Sequence, residues 1–172
     1  GTDIFDGVKS CDFDTALQAG TISMIGPEID EAYLAAVLGE RVLPAPMQAA
    51  ADALKIVYTP LNGAGYRLVP EALRRMGLSH LYTVEEQMTP DGNFPTVPFP
   101  NPELPEVFAL GVKLAEQVDS DLIIANDPDA DRLGVMARGK NGFVTLTGNQ
   151  TGALLLDYII TAYQQKGGLP EN

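Results

Sequence analysis

Apolar and polar positions alternate along this chain in two rhythms, and the order in which the rhythms follow one another predicts its architecture. Lys55-Ile56-Val57-Tyr58-Thr59 and His80-Leu81-Tyr82-Thr83-Val84 are short runs rich in β-branched and aromatic residues, and Asp121 to Ala125 contains the apolar run Leu122-Ile123-Ile124-Ala125. Such runs, bounded by turn residues, read as strands. Around them apolar residues recur at three and four positions. Ala32, Leu34, Ala35 and Leu38 mark a helix capped by Asp30 and ending near Gly39, and an Ala-rich helix follows over Pro46 to Leu54. Leu61-Asn62-Gly63-Ala64-Gly65 reads as a tight turn, and Tyr66 to Met76 as a helix stopped by Gly77. Glu106 to Val118 is helical, with Val107, Leu110, Leu114 and Val118 on one face. Leu133 to Ala137 and Phe143 to Thr147 form a hairpin across Arg138-Gly139-Lys140-Asn141-Gly142. A closing helix spans Gln150 to Gln165, with Asn149 as its cap and Gly167-Gly168 as its stop.

Strands alternating with helices of roughly 12 residues imply βαβ units and a parallel sheet covered on both faces. The expected fold is therefore α/β: a three-layer α/β/α sandwich with a mostly parallel sheet and a C-terminal antiparallel hairpin. Thr89 to Pro105 contains Pro90, Pro95, Pro98, Pro100, Pro102 and Pro105, which exclude helix and central strand and predict a stiff surface loop. Residues 1 to about 28 have neither rhythm. The chain counts as a single domain over 1–172, with 1–45 as lead-in segment and helix and 52–166 as sheet core.

Composition narrows the function classes. At 172 residues and 45% hydrophobic content the chain can bury a substantial core. It has no apolar stretch of about 18 residues and no signal pattern, so neither membrane nor secretion is expected. The single Cys11 suits a reducing, cytoplasmic setting. With 11 Lys plus Arg against 23 Asp plus Glu, the net charge of −12 argues against nucleic acid and anionic membranes as partners.

The candidate chemistry follows the third strand. Asp127-Pro128-Asp129-Ala130-Asp131-Arg132 gathers three carboxylates within five positions. In an extended backbone Asp127, Asp129 and Asp131 point the same way while Pro128 and Ala130 face back into the protein. Carboxylates held ~4 Å apart repel by roughly 4 kcal/mol per pair at an effective dielectric of 20, which favours a divalent cation. Oxygen-only ligands point to Mg²⁺, with Mn²⁺ or Ca²⁺ as substitutes. An acidic loop can also be merely solvated, but the carboxyl end of a buried strand is where open α/β sheets place ligands. An EF-hand needs Gly where Arg132 stands and Glu where Arg138 stands, so that reading fails. The haloacid-dehalogenase pattern Asp-x-Asp-x-Thr/Val meets Asp131 at its fifth position, which counts against it. Gly63-x-Gly65 has Leu68 at the third position of a dinucleotide fingerprint, so its plain reading is a tight turn. His80 opens an apolar strand and has no assigned role.

Four motifs in order resemble the α-D-phosphohexomutases: Tyr58 to Gly65, Asp91 to Val97 with Pro100 to Glu103, Asn126 to Arg132, and Leu146 to Gly152. The wording is most similar to the phosphoglucomutase/phosphomannomutase branch, although Gln150 stands where that branch often has Glu and Asn62 where it commonly has His. The resemblance implies the second of four domains and an intramolecular phosphoryl transfer between C1 and C6 of a hexose, glucose or mannose phosphate, through a phosphoserine and a bisphosphate intermediate. It implies Mg²⁺ held by Asp127, Asp129 and Asp131, Arg132 on phosphate, and Asn62, Gly63 and Gly65 lining the cleft. For Arg132 the rival reading is an ion pair with one of the Asp residues. The family's nucleophilic serine lies in a Ser-His-Asn-Pro loop of the first domain, and Ser10, Ser23, Ser79 and Ser120 all lack that sequel. No catalytic residue is therefore assigned in this chain, which is expected to be inactive alone. Two other readings remain: a cation- or partner-binding module without catalysis, and a phosphoaspartate enzyme of the haloacid-dehalogenase class.

Overall fold

A computed structural model describes residues 7–42 and 44–169. The chain forms two compact units, one up to Tyr33 and the other from Leu34 onward. In the first, α1 (Phe13–Gln18) is capped by Asp12, whose carboxylate accepts the Thr15 N–H and hydroxyl, each at 2.9 Å. Those bonds, the backbone one foremost, hold the Asp12 carboxyl below the ordinary carboxylate range. The chain then enters α2 (Pro27–Gly39). Pro27 opens this helix, and Asp30 lies inside the first turn rather than at the cap. A proline at the start lacks the N–H that would have no partner there, and an acid in the first turn favours the helix dipole.

The second unit is built on five strands: β1 (Lys55–Thr59), β2 (His80–Thr83), β3 (Leu122–Asn126), β4 (Leu133–Gly139) and β5 (Gly142–Leu146). Their order is β2-β1-β3-β4-β5. The first three are parallel, with Val57 beside both Tyr82 and Ile123, and β4 and β5 continue the sheet antiparallel. This is the expected α/β fold, with a mixed sheet whose parallel strands form the core.

Alternation along the strands divides the interior. Val57, Ile123 and Ala125 pack with Val84, Phe108 and Ala115 on one face. Ile56, Leu122 and Ile124 pack with Ala51, Leu73 and Leu78 on the other. The first face is covered by α6 (Ala109–Val118), entered through a 3₁₀ turn at Pro105–Phe108, so the predicted Glu106–Val118 helix is two pieces. The second is covered by residues of α3 (Pro44–Ala51) and α4 (Leu68–Arg75). The proline-rich segment is partly interior: Val97 and Pro102 are buried. Gly134 on β4 makes this possible, because a Cβ there would overlap the Pro102 carbonyl and Phe108 ring.

Two further elements also differ from expectation. A one-turn helix, α5 (Glu85–Met88), follows β2 where no signal marked one. The last helix, α7 (Gly148–Gln165), is capped by Thr147 and not Asn149: the Thr147 hydroxyl accepts the Gln150 N–H at 3.3 Å, and Gln150 Oε1 accepts the Thr147 N–H at 2.9 Å. Helix α7 buries Ala162 but leaves Leu154, Leu155, Leu156, Ile159 and Ile160 exposed. No helix among the described residues is long and apolar enough to cross a membrane.

Candidate metal centre

The Asp loop joins two antiparallel neighbours, β3 and β4, whose facing residues Asn126 and Leu133 close it. It therefore lies at the carboxyl end of β3. The carboxyl end of β1, parallel to β3, carries Pro60 to Gly65, so both segments emerge on one edge of the sheet, where ligand sites of such folds are found.

Within the loop the backbone turns. Ala130 N–H donates to Asp127 O at 3.0 Å, and Ala130 takes a left-handed φ of 61°. Asp127, Asp129 and Asp131 each offer a carboxylate oxygen within 4.8 Å of the others. The three acids thus converge through a tight turn, not through the extended run read from the sequence, and Ala130 is exposed instead of facing inward. Asp127 is buried, whereas Asp129 and Asp131 are open to solvent. Crowding shows in Asp131, whose carboxyl is pushed above the ordinary range by hydrogen bonding with Asp127 and then by the charges of Asp129 and Asp127.

Asp127 is held on both oxygens. Its Oδ1 accepts Arg132 N–H at 2.9 Å, and its Oδ2 lies 3.4 Å from Arg132 Nε, which is also 3.7 Å from Asp131. The Arg132 side chain is half exposed, and the contacts it makes here are the ion pairs of the rival reading. Asn126 fastens the base of the loop: its Nδ2 donates to Arg132 O at 2.7 Å, and its Oδ1 accepts the Tyr58 hydroxyl at 3.3 Å. Burial pushes the Tyr58 phenol well above its ordinary pKa, so it remains the donor.

The turn after β1 meets this loop directly. Gly63 has an ordinary extended backbone (φ −110°, ψ −171°), so its glycine is needed for proximity: a Cβ would overlap Pro128. Ala64 N–H donates to Pro128 O at 2.7 Å. A Cβ on Gly65 would stand 2.5 Å from the Tyr58 hydroxyl. The left-handed residues are Leu61 (φ 49°) and Asn62 (φ 60°), both buried. Asn62 points inward: its Nδ2 donates to Thr89 O at 2.9 Å and Glu86 O at 3.3 Å. Asn62, Gly63, Arg67, Asp91, Phe94 and Pro128 line a cleft of about 520 Å³ beside the loop.

Three carboxylate oxygens, two on open side chains, match the hard-oxygen donor set of a divalent cation that keeps waters or takes phosphate ligands. The sequence missed the buried polar side chains behind the turn, Thr59 and Gln87. Gln87 carries no recognisable signal because it lies in a one-turn helix.

A family model described as "Phosphoglucomutase/phosphomannomutase, alpha/beta/alpha domain II" matches residues 31–141. A Haemophilus influenzae protein named "Probable phosphomannomutase" is 42% identical over 116 residues, 67% of this chain and 24% of that protein. A phosphoglucomutase of Staphylococcus saprophyticus is 39% identical over 150 residues, 87% of this chain and 26% of that protein. The chain thus spans about a quarter of the length of these curated relatives. A crystal structure of a phosphoglucomutase/phosphomannomutase family protein from Burkholderia thailandensis superposes with a TM-score of 0.60 at 24% identity, over 77% of this chain and 26% of that one, a likeness of fold.

Proposed function

The chain belongs to the phosphoglucomutase/phosphomannomutase family as its α/β/α domain II, and from that premise we propose that it supplies the Mg²⁺-binding loop of an enzyme interconverting hexose 1-phosphate and hexose 6-phosphate. The observation that carries the reading is the convergence of the Asp127, Asp129 and Asp131 carboxylates at the carboxyl edge of the parallel strands. Bound there, Mg²⁺ would neutralise charge on a transferring phosphoryl group. Buried Asp127, fixed by the Arg132 N–H, anchors the site, while Asp129 and Asp131 leave its outer side open to a phosphate. Arg132 is a phosphate contact in this reading, exchanging its carboxylate partners for a planar, bidentate grip.

The substrate is then a glucose or mannose phosphate, the nucleophile and sugar-selecting residues come from other domains of the enzyme, and the setting is the cytoplasm. Residues before the sheet core form the lead-in to the domain. A phosphoaspartate role for Asp127 is disfavoured by its burial and by the engagement of both its oxygens. Mn²⁺ titration of the chain, read by electron paramagnetic resonance, tests the metal assignment. Asp129→Asn should weaken binding severalfold and, at an exposed position, change stability by less than about 0.5 kcal/mol. An unchanged Mn²⁺ affinity would remove the loop as the metal site.

A further inference from the structure

Behind the metal loop lies a closed set of polar side chains in an otherwise apolar interior. Thr59 at the end of β1 and Gln87 in α5 are fully buried, and Asn62 is nearly so. The Thr59 hydroxyl donates to Gln87 Oε1 at 2.6 Å and accepts Leu61 N–H at 3.0 Å. Gln87 Nε2 donates to Thr96 Oγ1 at 3.0 Å, and that hydroxyl donates to Asn62 Oδ1 at 3.2 Å. Main-chain bonds join the same pieces, from Asn62 N–H to Gln87 O and from Asp91 N–H to Asn62 O. Among the described residues no buried side-chain polar atom lacks a partner.

Hydrocarbon side chains at positions 59, 87 and 96 together would fill the space without the desolvation cost of an amide and two hydroxyls, so stability alone does not call for this arrangement. What the set does is hold Leu61 and Asn62 in left-handed backbone, a conformation that a residue like Leu61 rarely adopts and that persists only where surroundings over-determine it. With those two residues fixed, the next two are delivered against the Asp loop: Gly63 lies flush on Pro128, and Ala64 N–H reaches Pro128 O. Pro128 is the residue between Asp127 and Asp129, so the placement of its peptide sets the separation of two carboxylates.

We propose that Thr59, Asn62, Gln87 and Thr96 are positioning residues for the metal loop, acting through the left-handed turn at Leu61-Asn62 and the Ala64 to Pro128 hydrogen bond. The proposal rests on the Asp loop being the Mg²⁺ site. Partners that orient metal ligands without touching the ion typically change affinity by about 10- to 100-fold when lost.

The test reads Mn²⁺ dissociation constants by electron paramagnetic resonance under conditions where urea titration shows each variant folded. Wild type against Asp129→Asn comes first; equal affinities there, or no binding by wild type, would overturn the metal assignment and this inference with it. Given a difference, Gln87→Met and Thr59→Val, which keep volume and remove the hydrogen bonds, should weaken Mn²⁺ binding by about tenfold. Thr59→Ser, which keeps the hydroxyl and loses a methyl, should retain wild-type affinity even though it loses packing. Affinities within twofold of wild type in folded Gln87→Met and Thr59→Val would overturn the inference while leaving the metal site standing. An equal loss in Thr59→Ser would also overturn it, because packing would then be the cause. If Gln87→Met and Thr59→Val do not fold, Thr96→Val makes the same comparison from a half-buried loop position.

Discussion

The Arg132 guanidinium lies 3.4 Å from Asp127 and 3.7 Å from Asp131, and so neutralises charge that a cation would otherwise meet. Its side chain is half exposed, and ion pairs of that kind are worth about 0.2–1 kcal/mol. Arg132→Gln should therefore tighten Mn²⁺ binding to the chain by about two- to fivefold. Weaker binding in that variant would mean that Arg132 shapes the loop more than it competes for it. The three acids were legible because residues at i, i+2 and i+4 after a buried strand are confined to a few positions. The route by which they converge was not legible, since Ala130 adopts a left-handed φ that its residue type does not announce. Gly63 and Gly65 were recognisable as a turn but for an incomplete reason. They serve close approach to Pro128 and Tyr58, while the unusual backbone falls on Leu61 and Asn62.

Strand β1 spans the residues expected, Lys55–Thr59, because a short run of β-branched and aromatic residues buried on both faces of a parallel sheet ends sharply at turn residues, here Pro60 and Gly63. Boundaries set by capping were harder to read. Thr147 and Asn149 are both capping residue types, and the choice between them rests on the reciprocal bond from Gln150, which is three residues after Thr147 and one after Asn149. That bond also accounts for Gln150, since an amide completes the box as a carboxylate would. Thr147→Ala should lower stability by about 1 kcal/mol, whereas Asn149→Ala, inside the first turn, should change it by less than about 0.5 kcal/mol. Urea denaturation of the two variants checks this; the reverse ranking would place the cap at Asn149. Helix α5 escaped detection because four residues are too few to show a period.

Catalysis by the chain alone comes down to whether it holds a nucleophile within reach of the Asp loop. In the second unit, Ser79 precedes β2 and Ser120 precedes β3, so both lie at the amino ends of strands whose carboxyl ends carry the site. Five residues of β3 alone put roughly 16 Å between Ser120 and the loop. Ser120 is also fully buried, with its hydroxyl donating to Leu122 O. Thr59 is nearer, but it is buried and committed to Gln87 and Leu61 N–H. A net charge of −12 adds repulsion toward any phosphate that Arg132 and a bound cation would have to offset. Phosphoryl transfer needs a positioned nucleophile and substrate as well as charge neutralisation, and of these the proposed metal loop would supply only the last. With Mg²⁺ and glucose 1,6-bisphosphate supplied, the purified chain should therefore convert no glucose 1-phosphate to glucose 6-phosphate above a protein-free control in a coupled dehydrogenase assay. The packed apolar layers on both faces of its sheet should still give one cooperative unfolding transition for the second unit. Turnover above the control would sink this account, and a phosphate found on Asp127 by mass spectrometry after exposure to glucose 1,6-bisphosphate would make the buried first Asp of the loop a phosphorylated nucleophile.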